Sequence, residues 1–151
     1  MVNGKRNSIS ILLAEDDEDD SVLIRNTLKE SRVVNDIHWV KNGEELMDYL
    51  LRQGAYENPK KSPKPCLILL DLNMPKKNGR EALQEIKAHP VLHSIPVVIL
   101  TTSQADEDII RSYNLGANSY IRKPVSFSDF VETIKTLGKY WFEIVELPAE
   151  K

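Results

Sequence analysis

Two apolar runs that each stop abruptly on acid constrain this chain more than any other feature. Ile9-Ser10-Ile11-Leu12-Leu13-Ala14 leads straight into six carboxylates, Glu15-Asp16-Asp17-Glu18-Asp19-Asp20, and Leu67-Ile68-Leu69-Leu70 closes on Asp71. A strand with one wet face alternates apolar and polar residues. A nearly unbroken apolar run instead reads as a strand covered on both faces, as in a parallel sheet. The strand candidates are 9–14, 37–40, 66–70, 96–100 and 119–121. Stripes at helical spacing lie between them: Val22, Leu23, Thr27 and Leu28; Leu46, Met47, Leu50 and Leu51; Ala82, Leu83, Ile86 and Lys87; Ile109, Ile110 and Tyr113, ended by Gly116. Five repeated strand–helix units predict an α/β fold, a doubly wound parallel sheet with helices on both faces.

Ligands of such sheets gather beyond the carboxyl ends of the strands. Asp16, Asp71, Thr101 and Lys123 all fall at or just past those ends. Carboxylates brought together there repel one another and call for a cation. Hard oxygen donors with room for water suit Mg²⁺. Acids, a hydroxyl and a lysine around a metal point to phosphoryl transfer.

Composition narrows the function further. A length of 151 residues favours one domain, and 41% hydrophobic with 28% charged residues is ordinary for a soluble globular protein. The net charge of -3 gives no general attraction to nucleic acid or anionic membranes. The single cysteine, Cys66, excludes an internal disulfide and reads as a small buried hydrophobe. His38, His89 and His93 lack partners at ligand spacing and read as structural or solvated. The first residues lack the apolar core of a secretory signal, and no run approaches the roughly 20 residues of a membrane helix. The expectation is a cytoplasmic protein that binds neither membrane nor nucleic acid directly.

Two stretches exceed the minimal pattern. Asn58-Pro59-Lys60-Lys61-Ser62-Pro63-Lys64-Pro65 reads as an exposed extended loop, either a tolerated insertion or a partner contact. At the far end, Phe127, Phe130, Ile134, Leu137, Trp141 and Ile144 or Val145 recur every three to four residues. This long amphipathic helix outruns what the sheet needs. Its trailing aromatics either fold back on the core or face another chain.

Together these residues match a family. Glu15-Asp16 after the first strand, Asp71-Leu72-Asn73-Met74-Pro75 after the third, Asn78-Gly79 opening the next helix, Thr101, and Tyr120-Ile121-Arg122-Lys123-Pro124 occur in order at strand ends. The chain resembles the receiver domains of bacterial two-component response regulators, from about Ile9 to Leu137. Residues 1–8 would be a tail and 138–151 an extension of the last helix and a tail. The tail Trp141-Phe142-Glu143-Ile144-Val145-Glu146-Leu147-Pro148 is similar to single-domain regulators paired with cyanobacterial and bacterial phytochrome kinases.

The resemblance implies a flavodoxin-like strand order of 2-1-3-4-5 and a set of roles. Asp71 would be the phosphoacceptor, taking a phosphoryl group from a sensor histidine kinase, here a phytochrome. Glu15, Asp16, Asp71 and the backbone carbonyl of Asn73 would hold Mg²⁺. Three acids in a row leave the register open, so Asp17 is an alternative ligand. Lys123 would pair with Asp71 and then with the phosphoryl group, and the Lys123–Pro124 bond would be cis. Thr101 would bond the phosphoryl group and, with Tyr120, act as the switch. Tyr140, Trp141, Phe142, Ile144 and Val145 would form an interface, either for a homodimer or for another protein. Asp19 and Asp20 are explained by the helix start, where the dipole favours negative charge.

Such a protein would be no turnover enzyme, only phosphorylating itself from small donors and slowly losing the group. The enzymatic alternative is a Mg²⁺-dependent phosphatase or phosphotransferase with an aspartyl nucleophile. Such enzymes often carry a general-acid aspartate two residues after the nucleophile, where this chain has Asn73. A receiver serving only as a binding module would need Asp71 or Lys123 missing, and both are present. A flavodoxin-like cofactor carrier would need a phosphate-cradling loop where strand one runs into acids.

Overall fold

The computed structural model describes residues 9–30, 34–102 and 105–141. Five strands, β1 (Ile9–Ala14), β2 (Val34–Val40), β3 (Leu67–Leu70), β4 (Val97–Thr101) and β5 (Ser119–Arg122), alternate with five helices. The helices are α1 (Glu18–Lys29), α2 (Gly43–Leu51), α3 (Gly79–Ala88), α4 (Asp106–Asn114) and α5 (Phe127–Lys139). The strands form one parallel sheet in the order β2-β1-β3-β4-β5, as expected.

The pleat sorts the core. Ile11 and Leu13 of β1, Leu67 and Leu69 of β3, and Val98 and Leu100 of β4 turn to one face. There they meet Ile24 and Leu28 of α1 and Phe130, Ile134 and Leu137 of α5. The alternate residues Leu12, Ala14, Ile68, Leu70, Val97 and Ile99 meet Leu46 and Met47 of α2 and Ala82, Leu83 and Ile86 of α3 on the other face. This two-sided cover is why β3 and β4 are buried along their whole length. β2 starts three residues earlier than the apolar run suggests. As an edge strand paired only with β1, it tolerates the half-exposed Asp36 and His38, which pair at 3.0 Å.

The helix starts follow from local chemistry. Asp17, Asn42, Asn78 and Ser126 each accept a hydrogen bond from the backbone N–H three residues on, each cap stabilising by about 1 kcal/mol. Asn78 and Glu81 reciprocate as a full capping box. Past α4, Gly116 adopts φ +107 and its N–H donates to the Tyr113 carbonyl, so the chain can turn into β5.

The Pro/Lys loop is tied back. The Tyr49 hydroxyl donates to the Pro63 carbonyl at 2.9 Å, and the buried Ser62 hydroxyl donates to the Tyr56 and Asn58 carbonyls. The loop enters β3 at its amino end, the sheet edge opposite Asp71. Past α5, Trp141 turns inward against the core of the α1/α5 face, so it is not an exposed contact residue, whereas Tyr140 is half exposed. Phe142, Ile144 and Val145 lie outside the described residues. Lys123–Pro124 is trans, contrary to the expectation from resemblance. Trans is the favoured X–Pro isomer by about 0.5–1 kcal/mol, and the lysine faces inward with it. Among the described residues no helix is long and apolar enough to cross a membrane.

Candidate functional site

The chain runs from β1 outward to β2 and returns past β1 to β3, so the strand order reverses between β1 and β3. The carboxyl ends of two central, buried strands lie side by side there. Backbone bonds fix both exits: the Asp71 N–H donates to the Ala14 carbonyl at 3.0 Å, and the Glu15 N–H to the Val40 carbonyl at 3.0 Å. Single oxygens of Glu15, Asp16 and Asp71 lie within 4.8 Å of one another. Glu15 and Asp71 are buried and Asp16 is exposed. Asp17 is engaged otherwise, its carboxylate capping α1 by accepting the Asp20 N–H at 3.0 Å.

Lys123 enters from the end of β5, its N–H bound to the Thr101 carbonyl at 2.7 Å. Its ammonium lies 2.6 Å from Glu15, 2.9 Å from Asp20 and 3.5 Å from Asp71. The Lys123 side chain is only 5% exposed, so its charge requires these partners. Burial alone would lower this amine. The charges of Asp71 and Glu15 and the hydrogen bonds to Glu15 and Asp20 outweigh it and hold the ammonium well above the ordinary lysine range. The Glu15 carboxyl is pushed up to about 8, first by burial and then by the Asp71 charge, against the pull of Lys123. One cation thus serves more acids than it neutralises. Oxygen-only donors, excess negative charge and one exposed member fit Mg²⁺.

The remaining expected residues border this group. Asn73 is exposed; its N–H donates to Asp71 Oδ1 at 3.2 Å, and its side-chain amide reaches Thr101 Oγ1 at 3.4 Å. Thr101 is fully buried at the end of β4. Tyr120 is elsewhere, on β5 beside α4, its N–H donating to the Tyr113 hydroxyl at 3.1 Å. It lines a groove of about 660 Å³ with Tyr113, Leu137 and Tyr140.

Three supports escaped the reading of the sequence. The helix start accounts for Asp20 locally, yet its carboxylate also reaches Lys123; its place four residues after Asp16 is the available signal. Trp39 donates its indole N–H to the Glu15 carbonyl at 2.7 Å, and Arg25 and Lys41 stack on its ring. No spacing rule signals that bond. Gly79, at the start of α3, lies where a β-carbon would overlap the Asp71 carbonyl and sit 2.7 Å from the Leu72 Cα. The loop after Asp71 therefore closes tightly onto α3.

Comparisons with known proteins agree with this geometry. Residues 11–135 match the response regulator receiver domain. Response regulator Rcp1 of Synechocystis sp. is 46% identical over 139 residues, covering 92% of each chain. The crystal structure of its Mn²⁺-bound form is similar with a TM-score of 0.88 and 45% identity, over 93% of this chain and 99% of that one. The phosphorylated cyanobacterial phytochrome response regulator RcpA gives a TM-score of 0.89 and 42% identity, over 94% and 99%. Mg²⁺ is the cofactor that the acidic pocket of such a domain takes.

Proposed function

The chain belongs to the response regulator receiver family, and on that premise we propose that Asp71 accepts a phosphoryl group from the phosphohistidine of a sensor histidine kinase. The observation that carries the reading is the meeting of Lys123 with Glu15 and Asp71 beside the exposed oxygen of Asp16. An Asp71 carboxylate oxygen attacks phosphorus, the P–N bond breaks, and the imidazole leaves with its electron pair and takes up a proton. Glu15, Asp16, Asp71 and the Asn73 carbonyl would hold Mg²⁺, which when bound neutralises charge on the phosphoryl oxygens. Lys123 contributes a fixed positive charge from the other side, and Thr101 a hydroxyl donor. The same chemistry supports self-phosphorylation from small donors and slow loss of the group.

The kinase fits a phytochrome, because the phytochrome response regulator RcpA resembles this chain over 94% of its length. The receiver unit spans 9–137, followed by 138–151 as a C-terminal segment, and the protein works in the cytoplasm. Signalling proceeds by protein contacts, not by contact with nucleic acid. Thr101 moves toward the phosphoryl group, Tyr120 turns into the vacated space, and the face around Tyr140 changes partner, to a second copy of the chain or a downstream protein. The enzymatic alternative fares worse, because the amide of Asn73 cannot supply the proton that an acid at that position would.

Intact mass after incubation with acetyl phosphate and Mg²⁺ tests the reading. One labile phosphate is expected on the unaltered chain, and none with EDTA or on Asp71→Asn. A stable adduct, or an adduct retained by Asp71→Asn, refutes it. Light scattering on the same samples tests the dimer: an unchanged monomer mass before and after labelling removes that part.

A further inference from the structure

The Lys123 amine meets three carboxylates unequally. The proposed acceptor, Asp71, is its most distant partner at 3.5 Å, while Asp20 lies at 2.9 Å. Asp20 stands apart from the group of Glu15, Asp16 and Asp71 whose oxygens converge. It comes from the first turn of α1, where its N–H is pinned by Asp17, so its carboxylate reaches the amine from the helix side. Glu15 reaches the amine from the strand side at 2.6 Å. Cation binding by Glu15 and Asp71 would leave Asp20 as the lysine's carboxylate partner that the metal does not share. A phosphoryl group arriving on Asp71 brings new negative charge that needs the same ammonium.

The geometry points to Asp20 as a positioning residue that holds Lys123 back from Asp71 and so restrains entry of the phosphoryl group. This inference rests on the reading of Asp71 as acceptor. Without the Asp20 charge, the ammonium is less fully compensated, and the anionic donor meets less repulsion at the acceptor. Asp19 is the matched comparison. It is an exposed neighbour with the same charge and is not among the three carboxylates on Lys123. Its influence is long-range and sensitive to salt, whereas contact with an amine 5% exposed is screened far less.

The test follows the rate of labelling of the full chain by acetyl phosphate at saturating Mg²⁺, at low salt and at about 0.5 M salt. Asp20→Asn should speed labelling about two- to fivefold at both salt concentrations. Asp20→Ser should do the same, which guards against the asparagine carbonyl still holding the amine. Asp19→Asn should have a smaller effect that disappears in high salt. Equal effects of the two asparagine variants overturn the inference. So does an unchanged or slower rate in both Asp20 variants, and slowing with a lowered melting temperature would reduce Asp20 to a helix-start residue. If the unaltered chain takes up no phosphate at all, the acceptor reading itself has failed; labelled wild type with indifferent Asp20 variants defeats only the role of Asp20.

Discussion

The carboxyl ends of β1 and β3 and the face formed by α4, β5 and α5 are built to opposite specifications. At the first, all four residues of β3 are buried, and Asp71 and Glu15 are each tied to a neighbouring strand. At the second, no residue of β5 is fully buried, and Ile110, Tyr113 and Tyr140 are each about half exposed or more. Across that open surface the Tyr120 N–H donates to the Tyr113 hydroxyl. Group transfer requires reacting atoms held in one arrangement. A conformational signal requires a region with two arrangements of similar energy. On the proposed function, the two requirements fall at different parts of the same sheet, linked by β4 and β5, which carry Thr101 and Lys123 to one and Tyr120 to the other.

The sharpest way to break the contrast is to crowd the rigid end. Gly79→Ala should destabilise by about 3 kcal/mol, because the added carbon meets backbone that cannot yield. Urea unfolding measures this, and a loss below about 1 kcal/mol would mean that the loop after Asp71 is as pliable as the outer face. A smaller effect comes from charge. In metal-free protein burial and the Asp71 charge push the Glu15 carboxyl up to about 8, from an ordinary 4.5 in the unfolded chain. Below pH 4.5 both states are protonated and the contribution of this group is fully present. As the pH rises from there toward 8, the unfolded chain sheds its proton first, and stability is lost. Mg²⁺ should oppose that loss, so its increment in melting temperature should be larger at pH 8 than at pH 5.5. An equal increment at both would place the cation away from Glu15. The mildest change should come from Tyr113→Phe, which removes the acceptor of the Tyr120 N–H at a cost below about 1 kcal/mol. Amide hydrogen exchange at Tyr120 should accelerate while that of Leu69 stays slow; equal acceleration of both would erase the distinction between the two regions.

Much of this was legible from local pattern. The unbroken apolar runs marked the buried strands because burial on both faces leaves no place for polar residues. The residues that end those runs, Asp71, Thr101 and the nearby Lys123, point to the candidate site because strand ends in such sheets share an edge. The apolar run understates β2 because an edge strand admits polar residues, which hides its first three residues from any apolar count. For Asp20 the dipole of α1 is a local explanation sufficient in itself, while its second partner lies 103 residues away. Trp39 could not be read at all: its bond to the Glu15 carbonyl depends on the pairing of β1 with β2 and leaves no trace in residue type. The narrow margin around Gly79 is likewise a matter of three-dimensional approach.

The Pro/Lys loop carries a practical corollary. Its knot of hydrogen bonds from Tyr49 and Ser62 closes the excursion upon itself and hands the chain back to β3 at the edge remote from the carboxylates. Lys60 and Lys61, exposed at its tip, therefore offer a splice point where a fluorescent reporter or an epitope could be grafted without touching the chemistry it is meant to observe.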